Sequence, residues 1–154
     1  MTDASEQGSF LDETTESLLE QSQQNAQALI LATISLLDDL GIVPEAWADG
    51  LGERFAIAWS DEEPWEPGEF LDAMLTNYRS LGAFVEESRL EGEPATAVIS
   101  GFPDEDLCGV FGIDRRDADV YHRVAAEIAR RRGLAWQWSV EDDLTRFTVR
   151  TGES

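Results

Sequence analysis

Between Leu134 and Arg150 the residue types alternate with a period of two, and that alternation restricts the fold more than any other feature of the sequence. Leu134, Trp136, Trp138 and Val140 occupy one set of alternate positions. After Glu141-Asp142-Asp143 the pattern resumes, with Thr145, Phe147 and Val149 set against Arg146, Thr148 and Arg150. A period of two sends each set to its own side, so the stretch reads as a two-stranded antiparallel ribbon turned at the acidic triplet, apolar on one face and arginine-bearing on the other. Such a ribbon needs a cover. The preceding segment supplies one: Asp114 stands as an N-cap, Arg115 to Arg132 reads as a helix, and Gly133 occupies the position where a left-handed residue releases it.

Three helices are expected upstream. The first spans about Glu13 to Leu40, with Leu18, Leu19, Ser22, Ala26, Leu29, Thr33, Leu36, Leu37 and Leu40 as its apolar stripe and Gln21, Gln23, Gln24 and Gln27 keeping the early turns polar. From Ala28 to Ile34 it is apolar nearly all round, which implies burial on more than one side or contact with a partner chain. The second, Pro44 to Trp59, begins on a proline suited to a first turn and carries Trp47, Leu51, Phe55 and Trp59 at i, i+4 spacing; Gly50 and Gly52 each weaken it by about 1 kcal/mol relative to Ala. An acidic loop, Ser60 to Pro67, leads to the third, Pro67 to Leu81, which should bury Phe70, Leu71, Met74, Leu75, Tyr78 and Leu81 before Gly82 ends it.

Ala83 to Leu90 and Ala95 to Gly101 then read as a hairpin around Glu91-Gly92-Glu93-Pro94, and Cys108 to Ile113 as a short strand. The order is three N-terminal helices followed by a ββ(β)αββ unit. Strands this closely spaced leave no room for parallel crossovers, so the class is α+β, with a mostly antiparallel sheet and helices on one face. Residues 1–10 are expected to be a disordered tail and 11–150 one domain, its helical part about 11–82 and its sheet part about 83–150.

Charge narrows the range of partners. The chain has 32 acids, 11 Arg and no Lys, for a net charge of −21. Residues 1–113 hold 24 of the acids against Arg54, Arg79 and Arg89, whereas residues 114–154 hold eight acids and eight Arg and are neutral. A field of that sign opposes direct binding of DNA, RNA or anionic lipid, although molar salt would screen it. The lack of Lys beside abundant Asp and Glu is similar to the cytoplasmic proteins of salt-accumulating haloarchaea, a likeness of composition and not of family. No apolar run approaches the ~20 residues of a membrane span, and the single cysteine, Cys108, forms no intrachain disulfide, so a reducing, cytoplasmic setting is expected.

Catalytic and metal motifs are sparse. The lone histidine, His122, falls about 200° round its helix from the face of Val120 and Val124 and is expected in solvent. Cys108, behind Asp104, Glu105 and Asp106, reads as a buried strand residue whose nearby carboxylates would raise its pKa. The triplets Asp104-Glu105-Asp106 and Glu141-Asp142-Asp143 fit no calcium-loop pattern, so no metal or other cofactor is expected. Carboxylates such as Glu86, Glu87 and Asp104 are too abundant in this chain to single out as an acid–base pair.

Two candidate sites remain. Arg123, Arg130, Arg131, Arg132, Arg146 and Arg150 form a partner- or anion-binding set, alongside the alternative that they pair with acids of the same chain. Trp47, Phe55, Trp59, Trp136 and Trp138 are a possible aromatic-lined pocket. The expected function is a non-enzymatic, cytoplasmic interaction or regulatory module of an acidic, halophile-like protein, working through a protein partner or self-association. The alternative is a small-molecule sensor or carrier.

Overall fold

The computed structural model describes residues 4–59 and 65–152, with side chains from residue 14 onward. Its elements run α1 (Ala4–Asp39), α2 (Pro44–Ala58), α3 (Pro67–Ser80), β1 (Phe84–Arg89), β2 (Ala95–Ser100), α4 (Glu105–Phe111), α5 (Arg115–Asp119), a 3₁₀ turn (Val120–Arg123), α6 (Val124–Arg131), β3 (Leu134–Glu141) and β4 (Leu144–Thr151). The class is α+β, with helices ahead of a four-stranded antiparallel sheet in the order β1-β2-β4-β3.

The sheet follows the period-two pattern closely. In β3 and β4, Trp136 lies opposite Val149 and Trp138 opposite Phe147; on the other side of β4, Ala95 and Ala97 of β2 lie opposite Val149 and Phe147. These side chains share the inner face, where Phe147 and Val149 are fully buried and Trp136 nearly so. The β3–β4 turn is the two residues Asp142-Asp143, with Asp142 in the left-handed region at φ 56°. Asp is among the few residues that tolerate that conformation. β1 pairs with β2 through a register shift between Val85 and Glu87.

α3 and α6 cover the inner face. α3 buries Phe70, Leu71, Met74, Leu75 and Tyr78, as its spacing predicts. The core is largely aromatic: Phe70 meets Trp136 at 6.1 Å between ring centres, Trp136 meets Phe147 at 4.5 Å, Phe147 meets Tyr78 at 4.9 Å, and Tyr78 meets Phe102 at 5.6 Å. Each such pair adds about 0.5–1.5 kcal/mol beyond its buried area.

Four local expectations are corrected by the structure. Cys108 to Ile113 does not form a strand; α4 runs there instead, begun by the Asp104 carboxylate accepting from the Leu107 amide at 3.1 Å and ended by left-handed Gly112. Those two caps outweigh the strand preference of a short apolar run. The expected helix from Arg115 to Arg132 ends at Gly133 (φ 74°) but is interrupted by the 3₁₀ turn at Val120–Arg123, and Asp114 is its N-cap residue without a side-chain bond. In α2 the fully buried residues are Ala48, Gly52 and Ala56, while of the expected line Trp47, Leu51 and Trp59 pack half-buried against the core and Phe55 is exposed. The small face lets α2 lie on α6 at backbone contact: a Cβ on Gly52 would stand 2.7 Å from the Val124 carbonyl oxygen.

The fourth correction concerns α1. The helix reaches back to Ala4 rather than beginning at Glu13, and ends at Asp39. Its buried residues are Gln27, Leu31 and Ile34, while Leu18, Leu19, Leu29, Leu36 and Leu40, all members of the expected apolar stripe, are exposed. Leu31 packs with Cys108 of α4 and Ala118 of α5. Among the expected loops, residues 60–64 lie outside the described residues, as do Met1 to Asp3 at the start of the expected tail.

Candidate functional site

Two features stand out once the fold is assembled, one inside and one outside. The inner one is a chain of polar side chains running through the core. Tyr78 and the Nδ1 of His122 are 2.6 Å apart, His122 Nε2 is 3.3 Å from Asp119 Oδ1, and Asp119 Oδ2 is 3.7 Å from Arg115 Nε. His122 is fully buried, against the expectation that it faces solvent. The reason is that this segment is covered on both sides: α2 packs on the turn, and the rings of Tyr78, Phe102, Trp138 and Phe147 stand 5.1 to 5.8 Å from the His122 ring, so the side opposite Val120 and Val124 meets the core and not water. The backbone carbonyl of His122 also accepts from Trp136 Nε1 at 3.0 Å.

The protonation pattern of this chain is self-consistent. Burial pushes the His122 pKa down, with Asp119 opposing, so the ring is neutral in the fold. Burial raises the Tyr78 pKa, with Tyr121 and Asp119 adding to it, so Tyr78 keeps its proton. The neutral ring then accepts at Nδ1 from the Tyr78 hydroxyl and directs its Nε2–H toward the Asp119 carboxylate. Cys108 lies nearby in α4; burial raises its pKa first and Asp119 adds to that, which keeps it a thiol. Tyr78 and His122 are directly hydrogen-bonded, whereas His122 Nε2, Asp119 Oδ1 and the Arg115 guanidinium nitrogens make no hydrogen bond and are joined by the longer contacts alone; the ring at the centre is closed to solvent. The arrangement is suited to fixing α3, the 3₁₀ turn and α5 against one another.

A second buried polar group fixes α1. Gln27 Nε2 donates to the Leu81 carbonyl at 2.8 Å and to the Gly101 carbonyl at 3.2 Å, while its Oε1 accepts from the Asp104 amide at 2.7 Å. One side chain thus satisfies three backbone groups at the end of α3, the exit of β2 and the start of α4. Ser35 adds a bond to the Phe111 carbonyl at 3.0 Å. In the sequence this glutamine is one of several on the early turns of the helix; what marks it is an amide in phase with Leu31 and Ile34.

With the inner side of α1 anchored in this way, its other side is left open. At about 100° per residue, Leu18, Leu29, Leu36 and Leu40 fall within about 40° of one another and roughly opposite Gln27, Leu31 and Ile34. Their exposures are 65%, 70%, 56% and 63%, each more than half of the residue. Four leucines left in water on one helical line are an apolar strip, not scattered surface residues. From Gln21 to Leu37 the sequence also has no charged residue, in a chain that is 28% charged.

The arginine set is spread over several contacts within the chain. Arg123 makes a two-pronged bond to Asp49 of α2 at 3.0 and 2.8 Å. Arg130 and Arg131 both reach Glu127, and Arg146 reaches Glu87 at 3.3 Å. Arg132 is buried and donates to the carbonyls of Ala56, at 3.0 Å, and of Trp59, so the cation closes the C-terminus of α2. Arg150 is exposed at a non-core position of β4.

The aromatic set is not gathered round one cavity either. Trp59 and Trp136 belong to one ring cluster through Phe70, Trp47 sits against Tyr121, and Phe55 is exposed. Trp138 lies 5.1 Å from the His122 ring and, with Trp136, Gln137, Ser139, Arg146 and Thr148, borders an open depression of about 420 Å³. Compared with known proteins, the sequence matches no family model, no curated protein and no solved structure.

Proposed function

We propose that this chain is an interaction module, non-enzymatic in its action, whose working surface is the outward side of α1. The observation that carries the reading is the line of Leu18, Leu29, Leu36 and Leu40, more than half exposed on the side of the helix opposite its anchored residues. Covering a Leu removes about 1.5–3 kcal/mol of exposure cost per side chain, so four in line offer a partner a large gain. The interior supports the same reading, since the ionisable groups best placed for chemistry, His122, Tyr78 and Asp119, are occupied with one another and His122 is sealed from solvent.

A sensor reading through Trp47, Phe55, Trp59, Trp136 and Trp138 has less behind it, because these rings mostly pack on other rings. Among the described residues no helix is long and apolar enough to cross a membrane. Within the proposal the module works in a reducing, cytoplasmic compartment, a placement supported by its lone buried Cys108.

The test is affinity capture from a cell extract at native ionic strength, comparing the full chain with a Leu29→Glu/Leu36→Glu variant. Both positions are exposed, so the variant should fold. The expected result is a retained protein that the variant loses; identical retention by both would count against the reading.

A further inference from the structure

The spacing along the open side of α1 says what covers it. We infer that the occupant is a second copy of this chain, laid antiparallel with the two-fold axis passing through Leu29; this rests on the reading of that side as the interaction surface. Within about 60° of the Leu29 line, most residues equidistant from Leu29 match in kind, whereas about 80° round Leu19 is equidistant with Asp39 and Gln21 with Leu37. Leu18 and Leu40 stand eleven positions to either side, Asn25 and Thr33 four, and Ala26 and Ala32 three, while Ser22 at seven positions leaves room for Leu36 of the other copy. A two-fold interface is self-complementary by construction: each residue meets the partner's residue at its mirror position, so a mirrored pattern is what such an interface requires. A partner of unrelated sequence places no such demand on the helix.

Charge points to the same occupant. Two copies each carrying −21 repel one another, so the surface on which they meet must be free of acids. The uncharged run from Gln21 to Leu37 is centred on residue 29; Glu16, Glu20 and Asp38 lie roughly 140° or more round the helix from Leu29, and the exposed Asp39, about 80° round, flanks the strip at its end. A basic partner would be drawn to the acids and would gain nothing from their exclusion. The strip between Leu18 and Leu40 is about 33 Å long and about 14 Å wide, roughly 900 Å² for the pair, which is below the ~1,200 Å² of a stable specific interface and in the range of weak, transient ones. The pair is therefore reversible, and tightens with salt as the repulsion is screened.

Sedimentation velocity on the purified full chain in molar salt should show a dimer that dissociates on dilution. Leu29→Glu should raise the dissociation constant by at least about a hundredfold, because it apposes two carboxylates on the axis. Orientation is read by disulfide trapping in a Cys108→Ala background. Leu29→Cys should link to itself, Leu18→Cys and Leu40→Cys should each stay unlinked alone, and an equimolar mixture of those two should link. A chain monomeric at every salt concentration, or Leu18→Cys linking to itself, would overturn the inference. If the purified chain is monomeric while capture still depends on Leu29 and Leu36, the second-copy assignment fails and the interaction reading stands; if capture is also independent of them, both fail.

Discussion

His122 shows how much a single buried ring decides in this protein. Its ordinary pKa is about 6.5, and burial holds the folded value below that. As pH falls through the unfolded value, the unfolded chain binds a proton that the folded ring refuses, so stability is lost on the acid side and retained above it. The loss should reach about 1.4 kcal/mol per pH unit at most, or roughly 3–5 °C in melting temperature per unit for a chain of this size. Melting curves recorded between about pH 7 and pH 5 should show this slope in the native protein and a shallower one in His122→Gln, with equal slopes refuting the assignment. None of this is legible in the letters around His122, since its burial depends on Tyr78, Phe102, Trp138 and Phe147, rings distant in sequence that fold over the side away from Val120 and Val124. Gln27 was hidden for a related reason: a polar residue on an apolar line looks like surface until the three carbonyl and amide groups it meets, 54 to 77 residues away, are folded beside it.

At the scale of elements, local signals were read correctly where they were self-contained. Gly133 ends its helix, Asp142-Asp143 turns the ribbon, and the Trp136/Trp138 face lies inward because a period of two has only two solutions. A helix with apolar residues on two sides is ambiguous by spacing alone, and in α1 the exposed leucine line and the buried line of Gln27, Leu31 and Ile34 both fall at three and four spacing. In α2 the sequence signal is carried by the large side chains, whereas the fully buried residues are Ala48, Gly52 and Ala56, with Gly52 against Val124 of α6. Gly52→Ala tests that contact directly. On an exposed helix the change would stabilise by about 1 kcal/mol, but here the new methyl group would stand 2.7 Å from the Val124 carbonyl oxygen. A net loss of about 1–3 kcal/mol is expected in urea denaturation, with Gly50→Ala, whose Cβ meets only Arg54, as the control.

For the molecule as a whole, a charge of −21 carried entirely by residues 1–113 makes self-repulsion a leading opponent of the compact state. The neutral C-terminal part meets it through Arg123 on Asp49 and Arg146 on Glu87, exposed pairs worth at most about 1 kcal/mol each. Shielding by solution ions should therefore matter more than those pairs, and the melting temperature should climb as potassium chloride is raised from millimolar to molar. A flat or falling trend would show that the anionic surface is not what limits stability. The same molecule has a helix whose residues from Thr14 to Ser22 are exposed throughout, ahead of the point where Gln27 secures it. A helical arm of that length is marginal on its own in water. On the two-copy pairing proposed above, its order becomes a bimolecular quantity, so that helix content measured in dilute and concentrated samples would differ, and the backbone of one copy would owe its shape to its neighbour.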